Sequence, residues 1–270
     1  MSIDRRTFIA SVGGSAAFAL MTPSEKADAL EAQMQQRLNE ASTQTSGKFP
    51  TVADIEAQIE KGPVRSGVGN IFVARRGNVQ RLAPMPEKPS LVDFFKLRFM
   101  ATSNHVLQSA NRAMKNGMSE EITLACLLHD VVQELIKVDH GWWGAQLFEP
   151  YVPEKTAFAI RYHQALRFYS DPANGYEYPD MYRRIFGEDY KPEPYIEATY
   201  RMVRRHKWYL EPRMVTTNDL YAFDPQVHVE LEQFLDVIGR RFKQPKEGLG
   251  FDGSPVAHMW RSLSRPDAPL

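Results

Sequence analysis

Leu127-Leu128-His129-Asp130-Val131-Val132 is the stretch on which the reading of this chain turns. An imidazole and a carboxylate stand side by side in an apolar run whose residues Ile122, Ala125, Leu128 and Val132 recur at helical spacing. Neighbouring side chains on a helix diverge by ~100°, so both groups enter one inter-helical groove only where something offsets their desolvation. A divalent metal does so, and so does a structural His–Asp hydrogen bond. The dipeptide alone leaves both open.

Working outward, further metal-ligand types fall on helical segments. Ser103 or Asn104 can cap a helix that carries His105 and stops at Gly117, and Ser119-Glu120-Glu121 opens the helix with His129 and Asp130 near its middle. His140 follows. Pro153-Glu154 begins a helix with His163, Pro194 begins one expected to reach Trp208, and a last helix, broken near Glu211-Pro212, carries Asp219. Upstream, Ala27, Leu30, Met34 and Leu38 mark a lead-in helix over 24–39, a short helix is expected over 52–60, and 71–82 reads as a small hairpin turned at Gly77-Asn78. No run of sustained alternation and no repeat of domain-repeat length appears, so the expected class is all-α.

Composition narrows the function. With 43 % hydrophobic and 24 % charged residues, the 270-residue chain can bury one large core. Thirty-three basic residues balance 33 acidic ones, so no net field draws the chain to nucleic acid or to an anionic membrane, and a small-molecule substrate is the better expectation. The single cysteine, Cys126, sits among Leu124, Ala125, Leu127 and Leu128 and reads as a small buried residue.

The N-terminus reads as an address. Arg5-Arg6-Thr7-Phe8-Ile9 precedes an uncharged body rich in Ala, Gly and Ser, and Ala17-Phe18-Ala19 offers a small-x-small cleavage site. The pattern resembles the twin-arginine export signal, which implies the twin-arginine export machinery as a partner and a periplasmic location. The body is too short and glycine-rich for a stable membrane span. The expected organisation is a signal over 1–25, a helix and linker over 26–90, a metal-binding domain over 91–242 and a tail over 243–270.

In chain order the polar residues are His105, His129-Asp130, His140, His163 and Asp219. With Asn104-His105, His140-Gly141-Trp142-Trp143-Gly144-Ala145, Tyr162-His163 and Asn218-Asp219, the pattern resembles the HD-domain superfamily over residues 95–230. The resemblance implies an HD helical bundle with a short N-terminal extension and two metal ions sharing Asp130: His105, His129 and Asp219 on one, His140 and His163 on the other. Iron is the first expectation, with manganese and zinc as alternatives. His129 and Asp130 are the implied catalytic centre. Asp224 competes with Asp219, but Asp224-Pro225 reads as a turn, whereas Asn218-Asp219-Leu220-Tyr221 and Ile160-Arg161-Tyr162-His163-Gln164 are similar to segments of inositol oxygenase. His206, His228 and His258 have no place in the pattern.

Two reactions are compatible with such a centre. Relatives of inositol oxygenase and the phosphonate-cleaving oxygenases use a mixed-valent iron pair and dioxygen on a small polar or anionic substrate. The hydrolases of the superfamily activate water against a phosphate ester or nucleotide. The two local similarities favour the oxygenase; a metal-stabilised helical binding protein without turnover is a third reading. Gln133 stands where inositol oxygenase has a substrate-contacting lysine, which argues against inositol. Gln133, Lys137, Arg161, Arg167 and Lys207 are the candidate substrate contacts.

Overall fold

The computed structural model describes residues 26–29, 31, 34, 38, 83–86, 89–99, 103–133, 136 and 139–243. The short helix and hairpin expected over 52–82, the export signature, Lys137 and His258 lie outside them. Within them the chain is helical, without a strand; one isolated bridge joins Asp171 and Tyr176. The arrangement is consistent with an all-α HD-domain bundle.

The described residues of the lead-in segment, 26–29, 31, 34 and 38, are helical. The helices that follow are α1 (Leu91–Leu97), α2 (Ser103–Lys115), α3 (Glu120–Leu128), α4 (His140–Phe148), α5 (Glu154–Leu166), α6 (Asp180–Phe186), α7 (Pro194–Arg204), α8 (Leu210–Leu220) and α9 (Leu235–Arg241), with 3-10 turns at Pro172–Asn174 and Leu231–Phe234. Of these, α1, α6 and α9 carry no signal that the sequence reading used.

Local chemistry sets the ends. In α1, Ser90 and Asp93 form a reciprocal capping box. Past α2, Gly117 adopts φ +67°, and the N–H groups of Met118 and Gly117 bond the carbonyls of Ala113 and Met114, a Schellman stop that only glycine enters without strain. Ser119 then caps α3 by accepting from the N–H of Ile122 at 3.3 Å.

Helix α3 is the centre of the bundle. Every residue from Ile122 to Leu128 is buried, so it shows no polar face, and α2, α5, α8 and α9 surround it. Leu124, Leu127, Leu128, Phe99 and Phe148 have no exposed surface. Truncating any of these leucines to alanine should cost about 2–5 kcal/mol. A second apolar cluster joins Ala27, Met34 and Leu38 of the lead-in helix to Phe168, Tyr182, Ile196 and Phe223.

Three boundaries differ from the sequence reading. His129 and Asp130 lie beyond α3 rather than in its middle. The His129 ring bonds back to the carbonyl of Cys126, and the N–H of Gln133 turns onto Asp130 O, so the pair occupies a tight turn. Helix α7 ends at Arg204, not near Trp208: His206 Nδ1 accepts from the N–H of Trp208 at 3.1 Å and curls the chain. Helix α8 is unbroken through Pro212, which sits in its first turn, where the missing N–H has no helical partner to lose.

Candidate metal centre

The six members of the cluster come from five places in the bundle. His105 is on α2, His129 and Asp130 follow α3, His140 opens α4, His163 is near the end of α5 and Asp219 is near the end of α8. All six are buried. The structure thus brings together the whole sequence-derived ligand set in two groups that share one member. His105, His129, Asp130 and Asp219 form one; Asp130, His140 and His163 form the other.

The distances show how tightly they converge. His105 Nε2 lies 3.0 Å from Asp219 Oδ1, 3.3 Å from His129 Nε2 and 3.5 Å from Asp130 Oδ2. Asp130 Oδ1 lies 2.9 Å from His140 Nε2 and 3.5 Å from both His163 Nε2 and His129 Nε2. Asp130 is therefore common to the two groups, with Oδ2 toward His105 and Oδ1 among His129, His140 and His163.

The remote ring nitrogens decide which atoms face inward. His105 Nδ1 lies 3.1 Å from Ala222 O, His129 Nδ1 2.9 Å from Cys126 O and His163 Nδ1 2.7 Å from Ile160 O. A carbonyl only accepts, so in the neutral rings the proton sits on Nδ1 and the Nε2 lone pair points into the cluster. His163 Nε2 is buried with no hydrogen-bond partner among the described residues. That is the arrangement a metal ion satisfies.

Charges within the cluster reinforce one another. Burial disfavours an imidazolium at His105, yet hydrogen bonds to Asp130 and Asp219 raise its pKa to about 10. Burial pulls His163 down to about 4. Burial also works against the ionised forms of Asp130 and Asp219, but the surrounding histidines hold both carboxyls below the ordinary range. Cys126 is buried with its thiol pushed up to about 12 by desolvation, in keeping with a structural role.

The competing residues separate cleanly. Asp224 accepts from the N–H of Gln226 at 2.9 Å, as a turn residue does. His206 stacks on Phe158, and exposed His228 pairs with Glu230 at 2.7 Å. Of the substrate candidates, Gln133 is fully buried, and its amide has no hydrogen-bond partner among the described residues. Arg161 pairs with Glu149 at 3.2 Å, and exposed Lys207 lies over the Trp208 ring. Arg167 is buried and held by Asp28 and Glu31.

Asp28, Glu31 and Gln164 are residues the sequence reading missed. Asp28 and Glu31 sit on the lead-in helix with the apolar positions Ala27 and Met34 on either side, which was their only sequence signal. Burial and the carboxylates of Asp130 and Asp219 push the Glu31 carboxyl well up, while Glu31 Oε2 accepts from Arg167 Nη1 at 2.9 Å. Gln164 connects Asp28, Gly141 and His140. A cleft of about 400 Å³, lined by residues including Tyr178, Arg183, Arg184, Leu220 and Tyr221, reaches the residues next to Asp219. The Asp219 side chain is 12 % exposed, more than those of His105, His129, Asp130, His140 and His163.

No family model matches the chain. Among curated proteins it is similar to a (1-hydroxy-2-(trimethylamino)ethyl)phosphonate dioxygenase (glycine-betaine-forming) of Leisingera caerulea, at 27 % identity over 124 residues. That alignment covers 42 % of this chain and 56 % of the relative, so the chain spans about half the length of the curated protein it matches. The distant relative is thus an oxygenase that acts on a small phosphonate. Among the described residues no helix is long and apolar enough to cross a membrane.

Proposed function

We propose that this chain is a dioxygen-dependent enzyme whose His/Asp cluster holds two metal ions, iron first among them, and that it oxidatively cleaves a small anionic substrate. The observation that carries the reading is Asp130, a fully buried carboxylate that belongs to both groups of ligand atoms. The similarity to a phosphonate dioxygenase supports the oxygenase over the hydrolase, and small hydroxylated phosphonates are the first substrates to try.

The residues fit the metal pair by the chemistry of their donors. Imidazole and carboxylate together suit iron, manganese and zinc. His105, His129 and Asp219 would hold one ion and His140 and His163 the other, with Asp130 between them. An iron pair there would supply the electrons and Lewis acidity that activate dioxygen against a substrate carbon. The rest of the work belongs to the chain. Three carbonyls lock the rings of His105, His129 and His163, and the surrounding apolar core excludes bulk water. Gln133 offers a buried donor and acceptor for a substrate oxygen. The cleft beside Leu220, lined by Arg183 and Arg184 together with Glu177 and Asp180, gives a small polar substrate a path toward Asp219. Export of the folded, metal-loaded protein through the twin-arginine route is part of the same proposal. Arg5→Lys with Arg6→Lys should hold the precursor inside the cell; unchanged export would remove that part alone.

Oxygen uptake by the iron-loaded full chain tests the reaction. Uptake should require both iron and a small phosphonate and should vanish in Asp130→Ala, and inositol should give little or none. Phosphate release from phosphate esters without oxygen, supported by manganese, would overturn the oxygenase in favour of a hydrolase. Bound metal with neither activity would point to a binding protein.

A further inference from the structure

A second cleft, of about 230 Å³, lies between the start of α4, the end of α5 and the start of α7. It shares no lining residue with the cleft beside Asp219. Three of its lining side chains are the aromatic ones of Trp142, Tyr162 and Tyr195, and Trp142 and Tyr195 are each nearly half exposed. Two of these rings are braced from behind. Trp143 meets Trp142 edge to face with ring centres 4.9 Å apart, and Phe158 meets Tyr162 in the same way at 4.7 Å, so these walls stand in place before anything binds.

The polar groups of the cleft narrow what it can hold. Gln164 Oε1 accepts from the N–H of Gly141 at 2.7 Å, and Gln164 Nε2 donates to Asp28 Oδ1 at 3.1 Å. Thr199 Oγ1 donates to Tyr195 O at 2.9 Å, and the charge of Arg161 is paired with Glu149 at 3.2 Å. That leaves Asp139. Its side chain makes no capping bond to α4, and the positive groups that act on it through space, His140 and Arg167, are themselves held by Asp130 and by Asp28 and Glu31. Asp139 also has a φ of +54°, the one positive value outside glycine among the described residues, a conformation whose cost no cap offsets.

We propose that this cleft binds a small alkylammonium ion, a quaternary one most tightly, with Trp142, Tyr162 and Tyr195 as its aromatic walls and Asp139 as its counter-charge. An alkylated cation is attracted to aromatic faces and needs little hydrogen bonding. A polyol, in contrast, is recognised through several hydrogen-bonding groups set around it, and here the amide, the threonine and the guanidinium are already engaged. The site lies outside the His/Asp cluster, so the inference does not depend on the two-ion reading.

Calorimetric titration of the full chain at constant ionic strength tests the proposal, with tetramethylammonium as the probe and tert-butanol as an uncharged branched counterpart. Tetramethylammonium should bind once per chain, whether or not iron has been added, and tert-butanol should not bind over the same concentrations. Trp142→Leu should weaken binding by about tenfold, and Trp142→Phe by less. Asp139→Asn keeps a side chain that tolerates positive φ and should weaken binding by about 2–5-fold. Trp142 and Asp139 both reach solvent, so the variants should melt as the natural chain does, and the melt is recorded alongside. Absence of saturable binding, or equal binding of tert-butanol, would overturn the proposal. So would an affinity unchanged in both Trp142→Leu and Asp139→Asn, displacement of the probe by iron, or tighter binding of inositol than of tetramethylammonium.

Discussion

Helix α8 carries two buried polar assemblies that look alike by composition and differ in what they lack. Near its start, Arg213 is completely buried. Its Nε donates to Tyr209 Oη at 3.1 Å, Nη1 to Leu166 O at 3.3 Å and Nη2 to Tyr169 O at 2.9 Å, while the guanidinium lies 4.7 Å from the Tyr176 ring centre. Each of these donors meets an acceptor of the chain itself. Two turns further on, Asp219 enters a cluster in which imidazole nitrogens and carboxylate oxygens face one another. Burial of charge is common to both, so burial does not mark the site. What marks it is convergence of ligand atoms whose outer partners have already been supplied. Between the two, Thr216 donates to His163 O at 2.8 Å and ties α8 to the helix that carries the fourth histidine.

The largest effect that can break this comparison is expected at Asp130. Asp130→Ala removes the oxygens common to both groups, and affinity for both ions should fall by more than about 100-fold, read as metal per folded chain. Retention of both ions would show that Asp130 is not shared. In contrast, His163→Ala should weaken mainly one ion. Arg213→Leu should act on stability instead, costing about 3–5 kcal/mol in denaturant unfolding because it leaves buried acceptors unpaired. The metal content of the molecules that remain folded should not change. Loss of metal at unchanged stability would mean that the two assemblies are one.

A smaller effect concerns pH. His105 is raised from 6.5 to about 10 in the folded chain by Asp130 and Asp219, so its proton favours the folded, metal-free state. That stabilisation is fully present below pH 6.5 and is lost as pH climbs toward 10. The metal-free chain should therefore melt at progressively lower temperature between pH 7 and pH 9. An ion at the site must displace the same proton, so apparent metal affinity should rise over that interval with proton release in calorimetry. Affinity independent of pH would place the ion away from His105.

How much of this was legible in the sequence follows from the range of each signal. The helical class, the cap at Ser119, the stop at Gly117 and the start of α5 are local, and the residues that cause them are neighbours. The convergence of the six candidate ligands was legible because their residue types are costly to bury and their order resembles a known pattern. The position of His129 and Asp130 was misread because a His ring bonding back three residues ends a helix whose apolar pattern continues into Val131 and Val132. Asp28, Glu31 and Gln164 were invisible for a different reason. The Asp28–Gln164 and Glu31–Arg167 contacts each span 136 residues, and nothing in the local pattern distinguishes a buried carboxylate from a solvated one. Arg167 illustrates the same limit: it was a candidate for holding substrate, and the structure shows its charge paired with two carboxylates of its own chain.

The shared carboxylate is the central claim, and the magnetic state of the iron-loaded full chain tests it most directly. Two irons joined through Asp130 should, on partial reduction, give a coupled half-integer-spin resonance that a small phosphonate perturbs and that Asp130→Ala abolishes. A spectrum containing only isolated, uncoupled iron at full loading would contradict it.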